Sequence, residues 1–322
     1  MNRYLIYNIS KPQLRVGLMH NISNLNSMLI DAFVMNRTAV LPYPSFDSRH
    51  NFNHDISKSW KYYIDLDSIK IKVKKSDGYS EEKIKCICSD DFSNQLDPTQ
   101  NVHIAKNFDD ASSTSSKYLI RNVDGSIDFW GAPDQNIDGK YTILFDFSQE
   151  ITRLTNRVRE ELNDYVAIHV RRGDRLKLNR KIDKFTKSDY IVKFLTENYP
   201  KKTKFYLMTD EKDETFIANI KKELDVATYK DFNCLTSIID CEKPDNFFLF
   251  GVEKIIYYSA KCRVGTFTDA DRVDLSLSPY SMHYVYKSSY EKLKNKFSKS
   301  IKKIKSLIKR CISTNSNKIF IV

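Results

Sequence analysis

The feature that most constrains the fold is an alternation of apolar, strand-like segments with helical segments after about residue 150. The predicted order is helix 150–162, strand 165–170, helix 188–198 with Ser188 as its N-cap, strand 204–209, helix 213–224, helix 246–260 and strand 263–266. Strands that alternate with helices in this way indicate βαβ units and a parallel sheet. The second half of the chain therefore predicts an open α/β sheet.

The first half of the chain shows the same alternation with weaker signals. An apolar strand at 3–9 is followed by a polar turn at Gly17, a helix with apolar residues at helical spacing, and a short strand at 39–41. Alternating segments and turn residues between 60 and 150 predict further strands.

The net charge divides the chain unevenly. Its formal value is +11, yet residues 287–322 hold ten lysines, one arginine and one acid, Glu291, so they carry +10 and the rest carries +1. A length of 322 residues corresponds to about two domains. We therefore predict an N-terminal domain at 1–150, a second domain at 151–286 and a basic tail at 287–322.

Several common site motifs are missing from the sequence. It has eight glycines and neither a dinucleotide-binding G-x-G-x-x-G nor a P-loop. The six cysteines lack metal-ligand spacing, which indicates reduced thiols in a cytosolic protein. His50 and His54 would meet as metal ligands on a helix, but the surrounding Asn, Ser and Asp favour a loop. We expect no metal site.

Polar residues follow three of the predicted strands, where a core would not accept them. They are the segments His169–Asp174, Thr209–Glu211 and Gly265–Asp269. Ligands of open parallel sheets bind outside the carboxyl ends of the strands. We therefore expect these segments to meet at a ligand site.

The paired arginines of the first segment are well suited to a pyrophosphate. Guanidinium groups form forked, charge-assisted hydrogen bonds of roughly 1.5–3 kcal/mol each. Gly173 would let the backbone approach the ligand closely, and Asp174 could hold an arginine in place. The alternative is a solvated basic turn with local ion pairs.

Motifs along the chain resemble, in order, those of the GDP-fucose-dependent fucosyltransferases, which comprise α1,2-, α1,6- and protein O-fucosyltransferases. The segment HVRRGD (169–174) resembles the H-x-R-R-x-D signature of this superfamily. The other matches are Gly17–Asn21 with NRTAVLP (36–42), the W-x-x-Y-x-D-like segment 59–66, FYLMTDE (205–211) and VGTFTDADR (264–272). The last two resemble donor-site motifs of the α1,6 group.

The resemblance implies a glycosyltransferase of the GT-B architecture, with two Rossmann-like domains and GDP-fucose bound mainly by the second. It implies inversion at the anomeric carbon and no metal or other cofactor. Arg171 would contact the β-phosphate, with Arg172 supporting the site and His169 at the nucleotide. The other donor-binding residues implied are Asn21, Asp210, Glu253, Thr266, Phe267, Thr268 and Asp269.

The general base for the acceptor hydroxyl stays open. The α1,6 enzymes use a glutamate shortly after the arginines, where this sequence has Asn179. Asp174 and Asp183 are the candidates, so the predicted catalytic residues are Arg171, Asp174 and Asp183. The alternatives are that Asp174 orients an arginine and that Asp183 is a solvated loop acid. Asp269 is a further departure, since the family usually has serine there.

The basic tail predicts an amphipathic helix. Residues 290–311 place apolar side chains at three- and four-residue spacing among lysines. Such a helix suits an anionic membrane surface, where each lysine contributes about 1 kcal/mol; the alternative is a helix docked on the body. The single arginine and near-neutral body argue against nucleic acid. Without a signal-peptide core or membrane span, we expect a cytoplasmic protein, peripheral on the membrane's cytoplasmic face and not secreted.

Three functions remain open at this point. The first is transfer of fucose from GDP-fucose to a hydroxyl of a glycan acceptor. The second keeps the fold but uses another nucleotide-sugar. The third is a non-catalytic, membrane-surface binding protein whose transferase body has decayed, which the departures at Asn179 and Asp269 keep open.

Overall fold

The computed structural model describes residues 2–9, 17–56, 58–93, 101–123, 140–173, 176, 183 and 186–264. The strands are β1 (Tyr4–Ile9), β2 (Thr38–Leu41), β3 (Ile64–Lys75), β4 (Gly78–Lys83), β5 (Cys86–Cys88), β6 (Val102–Ala105), β7 (Tyr118–Val123), β8 (Tyr141–Phe147), β9 (Tyr165–Val170), β10 (Lys204–Thr209), β11 (Val226–Ala227) and β12 (Cys262–Val264). The helices are α1 (Leu18–Val34), α2 (Ser89–Ser93), α3 (Phe108–Ser113), α4 (Gln149–Leu162), α5 (Ser188–Asn198), α6 (Glu214–Glu223), α7 (Asn233–Ile239) and α8 (Asn246–Ser259). Short 3-10 turns occupy Ser48–Asn51, Trp60–Tyr62 and Tyr229–Asp231.

The described strands form two parallel sheets and one antiparallel sheet. The N-terminal sheet has the order β5-β2-β1-β7-β6 and the C-terminal sheet the order β11-β10-β9-β12, with all pairs parallel. The third sheet, β4-β3-β8, is antiparallel. The predicted α/β fold with parallel sheets is confirmed.

The N-terminal sheet is built around the α1 crossover between β1 and β2. Leu25, Leu29 and Ala32 on this helix are fully buried, as their helical spacing predicts. Just beyond the helix, the buried Arg37 guanidinium donates hydrogen bonds to the carbonyl oxygens of Ser116 at 2.8 Å and Thr114 at 2.9 Å. Arg37 therefore ties the start of β2 to the chain that enters β7.

The central strand of the C-terminal sheet is covered on both faces. Val166, Ile168 and Val170 of β9 point into a core formed with α5 and α6. Tyr165 and Ala167 point to the opposite face, and the Tyr165 hydroxyl donates a hydrogen bond to a carbonyl of α8 at 2.7 Å. Successive strand residues alternate between faces, so an almost continuous apolar run fits this position.

The antiparallel sheet leads from the first half of the chain into the second. Ile69, Ile71 and Val73 of β3 are buried while the intervening lysines lie toward solvent, as the alternation in the sequence predicts. Strand β8 pairs with β3 and runs directly into α4, whose Ser148 side chain caps the Ile151 amide. The predicted domain boundary at 150/151 falls in the first turn of α4 and stays a prediction.

Buried polar contacts join the start of α8 to the first half of the chain. The Asn51 side chain is fully buried, donates to the Pro244 carbonyl at 2.8 Å and accepts from the Asn246 amide at 2.7 Å. Asp245 caps α8 through the Phe248 amide and also accepts a hydrogen bond from the Tyr63 hydroxyl at 3.1 Å. These contacts fix α8 against the loop that follows β2.

One local prediction differs from the structure, and the loop favoured around His50 and His54 is confirmed. Lys187, not Ser188, is the N-cap of α5, because the Ser188 hydroxyl is hydrogen-bonded to the Asp189 carboxylate instead of a helix amide. His50 lies in a 3-10 turn that ends at Phe52 in a left-handed conformation, so no helix carries both His50 and His54.

The described residues lack both a metal-ligand cluster and a membrane-spanning helix. They contain no cluster of three or more His, Cys, Asp or Glu side chains that could hold a metal ion. Within the same ranges, no helix combines the length and apolar character needed to cross a bilayer.

Candidate active site

The carboxyl ends of β9 and β10 lie side by side, as the polar strand ends predict. Val170 is aligned with Thr209 in the parallel register, so Arg171 and Asp210 leave the sheet as neighbours. On its other side β9 pairs with β12, so the chain order within the sheet reverses at β9. In open parallel sheets this point of reversal is where ligands bind.

Arg172 is bound by protein groups on every side of its guanidinium. Its Nε donates to the Glu211 carboxylate at 2.6 Å, and its Nη1 donates to the carbonyl and hydroxyl oxygens of Thr186 at 2.7 and 2.9 Å. Its Nη2 donates to the Asp183 carboxylate at 3.1 Å, and its guanidinium carbon lies 5.1 Å from the centre of the Phe216 ring. Only 13% of its side chain is exposed, so Arg172 stabilises the structure of the strand end.

Arg171 is more accessible and lies beside an acid. About 39% of its side chain is exposed, and its Nε is 3.9 Å from a carboxylate oxygen of Asp210. The other Asp210 oxygen accepts the backbone amide of Arg172 at 2.6 Å. Asp210 therefore anchors the turn after β9 and places a negative charge next to the Arg171 guanidinium.

The second strand end is fixed by hydrogen bonds of Thr209 and Glu211. The Thr209 hydroxyl donates to the Val170 carbonyl at 2.7 Å and accepts the Glu211 amide at 3.1 Å. Burial raises the pKa of Glu211, but the hydrogen bond from Arg172 and two backbone amides outweigh it, so the net pKa is lowered. Glu211 is therefore ionised and paired with Arg172 at neutral pH.

Gly173 is required by the position of the Asp210 carboxylate. A Cβ atom at Gly173 would lie 2.6 Å from an Asp210 carboxylate oxygen, well inside van der Waals contact. We expect Gly173→Ala to displace the carboxylate from the Arg172 amide and to lower the free energy of unfolding by about 1 kcal/mol, the cost of roughly one hydrogen bond. Urea unfolding would measure the loss, and an unchanged free energy of unfolding would contradict the expected clash with Asp210.

His169 faces helix α8 from the penultimate position of β9. Its ring lies 6.0 Å from that of Tyr257 in an edge-on arrangement. Burial, together with the smaller effect of the positive charges of Lys254 and Arg171, lowers the pKa of His169 to about 4. The imidazole is therefore neutral near pH 7, where it can act as a hydrogen-bonding group but carries no charge.

Glu253 lies in the core and its carboxylate is bonded to a buried tyrosine. Only 6% of Glu253 is exposed, and its Oε1 accepts a hydrogen bond from the Tyr206 hydroxyl at 2.9 Å. Burial raises the pKa of Glu253 to about 8, against the smaller opposing effect of the Tyr206 hydrogen bond. Its predicted contact with the nucleotide stays a prediction.

The raised pKa of Glu253 has a consequence for stability. The unfolded carboxyl titrates near 4.5, so the stabilising contribution of the protonated group is complete below pH 4.5 and is lost as the pH rises through 8. We expect Glu253→Gln, which keeps an acceptor for Tyr206, to gain stability relative to the native chain by up to about 4 kcal/mol between pH 5 and 8. Urea unfolding at both pH values would measure this; a constant difference between the two chains would contradict it.

The remaining predicted site residues are placed as follows. Asn21 is buried, and its side-chain amide bonds both backbone groups of Ser45, at 2.9 and 3.0 Å, which ties the start of α1 to the loop after β2. Asp183 is 46% exposed and ion-paired with Arg172, so it is not an isolated solvated acid. The predicted residues Asp174, Thr266, Phe267, Thr268 and Asp269, together with the tail at 287–322, lie outside the described residues.

Sequence reasoning missed several residues that build the site. Thr186 and Phe216 surround Arg172, and Lys254 lies near enough to His169 to lower its pKa. Thr186 is fully buried although it follows a polar loop, and no pattern in that loop singles it out. Phe216 reads as an ordinary apolar position of an amphipathic helix, so only the fold reveals its contact with Arg172.

A second missed group lies in the N-terminal sheet. Asp31 of α1 is fully buried and accepts hydrogen bonds from the Tyr7 hydroxyl at 2.9 Å and from Arg121 at 2.5 Å. Tyr7 and Arg121 face each other on β1 and β7. Burial, followed by the Asp31 charge, raises the pKa of Tyr7, so the phenol remains a donor. The group fastens α1 to the sheet.

Comparison with known proteins gave structural similarity only. No protein-family model matches the chain, and no curated protein matches it. A crystal structure of POFUT1 in complex with GDP-fucose is similar at 12% identity and a TM-score of 0.46, with 82% of this chain and 90% of that chain covered. NodZ alpha-1,6-fucosyltransferase co-crystallized with GDP is similar at 14% identity and a TM-score of 0.42, with coverage of 84% and 90%.

A third similar structure is fucosyltransferase NodZ from Bradyrhizobium. It shares 14% identity and a TM-score of 0.42, with 82% of this chain and 88% of that chain covered.

Proposed function

We propose that the protein is a glycosyltransferase of GT-B architecture that transfers fucose from GDP-fucose to a hydroxyl of a glycan acceptor. The observation that carries the proposal is the arrangement of the H-x-R-R-x-D-like segment at the carboxyl end of β9. There Arg172 is held by Glu211, Thr186 and Asp183, and Arg171 remains accessible beside Asp210. A fixed turn that presents one accessible guanidinium is suited to a phosphate.

Arg171 would act on the leaving group. Breaking the bond between fucose and GDP builds negative charge on the β-phosphate, and a positioned guanidinium stabilises that charge in the transition state. Since Asp210 and the Arg172 amide fix the local backbone, little reorganisation is needed during the reaction. On this proposal the arginine supplies the stabilising charge and the reaction needs no metal.

The acceptor hydroxyl would attack the anomeric carbon from the face opposite GDP, which inverts the configuration. A carboxylate must take the hydroxyl proton as the new bond forms. Asp174 and Asp183 remain the proposed candidates. The ion pair between Asp183 and Arg172 favours a positioning role for Asp183, so Asp174 is the stronger candidate of the two.

One experiment tests the donor and the metal requirement together. GDP release from GDP-fucose would be measured with a panel of acceptor glycans, once with EDTA and once with added Mg²⁺. We expect acceptor-dependent release that EDTA does not abolish. An absence of GDP binding by calorimetry would overturn the proposal and would instead favour a non-catalytic body.

The position of Glu253 favours a second candidate, the same reaction with another nucleotide-sugar. Its Oε1 accepts the Tyr206 hydroxyl inside the core, which leaves less of the carboxyl group for the nucleotide contact that the resemblance implies. Competition of UDP- and ADP-sugars against GDP-fucose would decide between the donors. Preferential binding of a different nucleotide would replace fucose transfer in the proposal.

We also propose that residues 290–311 bring the protein to the cytoplasmic face of an anionic membrane. The support is the sequence alone, through the lysine-rich amphipathic pattern. Sedimentation with vesicles containing phosphatidylserine should pellet the full chain, and removal of residues 287–322 should abolish this. Equal pelleting of both chains would favour a helix docked on the body.

A further inference from the structure

A pocket at the junction of the two halves is not used by the proposed reaction. Its volume is about 480 Å³, within the range of small-molecule sites. Lys58 and Tyr62 line it from the first half of the chain, and α4, the α7 region and the start of α8 line it from the second. The lining residues do not include the strand-end residues Arg171, Arg172 and Asp210.

The lining of this junction pocket is positively charged. It contains four cations, Lys58, Arg153, Arg157 and Lys243, and two acids, Glu150 and Asp245. Both acids already have partners. Glu150 receives a forked pair of hydrogen bonds from Arg153 at 2.6 and 2.7 Å, and Asp245 binds Lys58 at 3.2 Å besides Tyr63 and the start of α8.

Two cations of the pocket remain available for a ligand. Arg157 is 59% exposed and its Nε is 3.8 Å from Glu161, at the limit of an ion pair. Lys243 is exposed and forms no ion pair within the described residues. A guanidinium and an ammonium that line one cavity are suited to a group with two negative charges, such as a phosphate monoester.

The apolar side chains that line the pocket favour a ligand with an organic group attached to the phosphate. Leu154 and Phe248 are buried and line it, and Tyr62 presents a partly exposed ring. The Lys58 ammonium lies 3.7 Å from the centre of the Tyr62 ring and stabilises the position of the ring through a cation–π contact. A phosphate alone would leave most of the volume unfilled and the exposed Tyr62 ring uncovered, whereas a sugar-sized ring would cover it.

We propose that the junction pocket binds a small phosphate ester with a sugar-sized organic part, held by Arg157 and Lys243. The site contacts both halves of the chain, so an occupant would link Lys58 and Tyr62 to α4 and α7. It is separate from the strand-end site and does not depend on the identity of the donor.

Two cysteines in the pocket provide a direct assay. Cys241 is exposed and Cys234 partly buried, and both line the cavity, whereas Cys86 does not. The rate of alkylation of each thiol by iodoacetamide would be followed by peptide mass spectrometry in the presence of glucose 6-phosphate. We expect glucose 6-phosphate to slow alkylation of Cys241 at least fivefold.

Matched variants and ligands make the assay specific. Arg157→Gln and Lys243→Gln, both at exposed positions, should each weaken the protecting affinity about tenfold, the cost of one charge-assisted hydrogen bond. Arg171→Gln should retain full protection, which separates this result from any failure of the proposed transferase function. Glucose should give no protection and inorganic phosphate a weaker one.

Three outcomes would overturn the proposal. They are an absence of protection by glucose 6-phosphate, protection that survives the double variant of Arg157 and Lys243, and equal protection by glucose. Equal protection by inorganic phosphate would show that the sugar-sized part of the ligand does not contribute to binding, which would overturn that part of the proposal. Unchanged thermal unfolding of the two single variants would show that they remain folded.

Discussion

Replacing Arg171 by lysine is expected to lower the kcat of GDP-fucose turnover by about 10²-fold or more while the protein remains folded. A lysine keeps the positive charge but loses the planar fork that matches two phosphate oxygens. Removal of one transition-state donor of this kind costs about 10²–10³ in kcat. The Arg171 side chain is 39% exposed and its Nε lies 3.9 Å from an Asp210 carboxylate oxygen, so folding should change little. Initial rates of GDP release would measure the effect.

Arg49→Lys is a matched control for this prediction. Arg49 also pairs with an aspartate, Asp47, but it is 82% exposed and lies in the 3-10 turn after β2, away from the strand end. The GDP-fucose turnover of Arg49→Lys should equal that of the native chain. Full activity in Arg171→Lys would remove Arg171 from the reaction and with it the main support for the proposed function.

Replacing Arg172 by methionine should lower the free energy of unfolding by about 3 kcal/mol. Loss of one partner from a buried ion-pair network leaves the others uncompensated, at a typical cost of 3–5 kcal/mol. Here Glu211, Thr186 and Asp183 would lose their shared donor, and Asp183 is partly solvated, which favours the lower value. Methionine retains a long side chain that can still contact the Phe216 ring. Urea unfolding would measure the change through the transition midpoint.

The neighbouring arginine serves as the control for this stability effect. Arg171→Met removes a guanidinium of the same size one residue away, and its half-exposed position predicts a cost below about 1 kcal/mol. The double variant Arg172→Met with Glu211→Gln should recover part of the loss, because it no longer leaves a charged Glu211 unpaired. Equal costs for Arg171→Met and Arg172→Met would contradict the structural role of Arg172.

The longer strands and helices of the second half could be predicted closely from the sequence, whereas β11 and α7 were not predicted. The apolar run 165–170 and the helical spacing from 188 to 198 are local signals, and both elements lie where these signals place them. The Ser188 cap was wrong because a serine at a helix start has a competing partner, here Asp189, which the pattern cannot rank. The strand order of each sheet depends on long-range pairing and could not be predicted from local patterns.

The location of the candidate site could be predicted from the sequence, but the different roles of its two arginines could not. Polar residues at adjacent strand ends identified Arg171, Arg172 and Asp210 as neighbours, because parallel strands align their carboxyl ends. The two arginines look alike in the sequence, yet one is enclosed by protein groups and the other is accessible. That difference comes from Thr186 and Phe216, which only the fold brings to Arg172.

The polar junction at the start of α8 bears on how the chain unfolds. Asn51 and Tyr63 of the first half bond Asn246 and Asp245 of the second; Asn51, Tyr63 and Asp245 are buried and Asn246 is partly buried. If one half unfolded alone, the other would be left with exposed junction surfaces and unpaired polar groups, at a cost of about 1–3 kcal/mol for each group. The junction therefore couples the unfolding of the two halves, which favours one cooperative unfolding transition over separate transitions of each half.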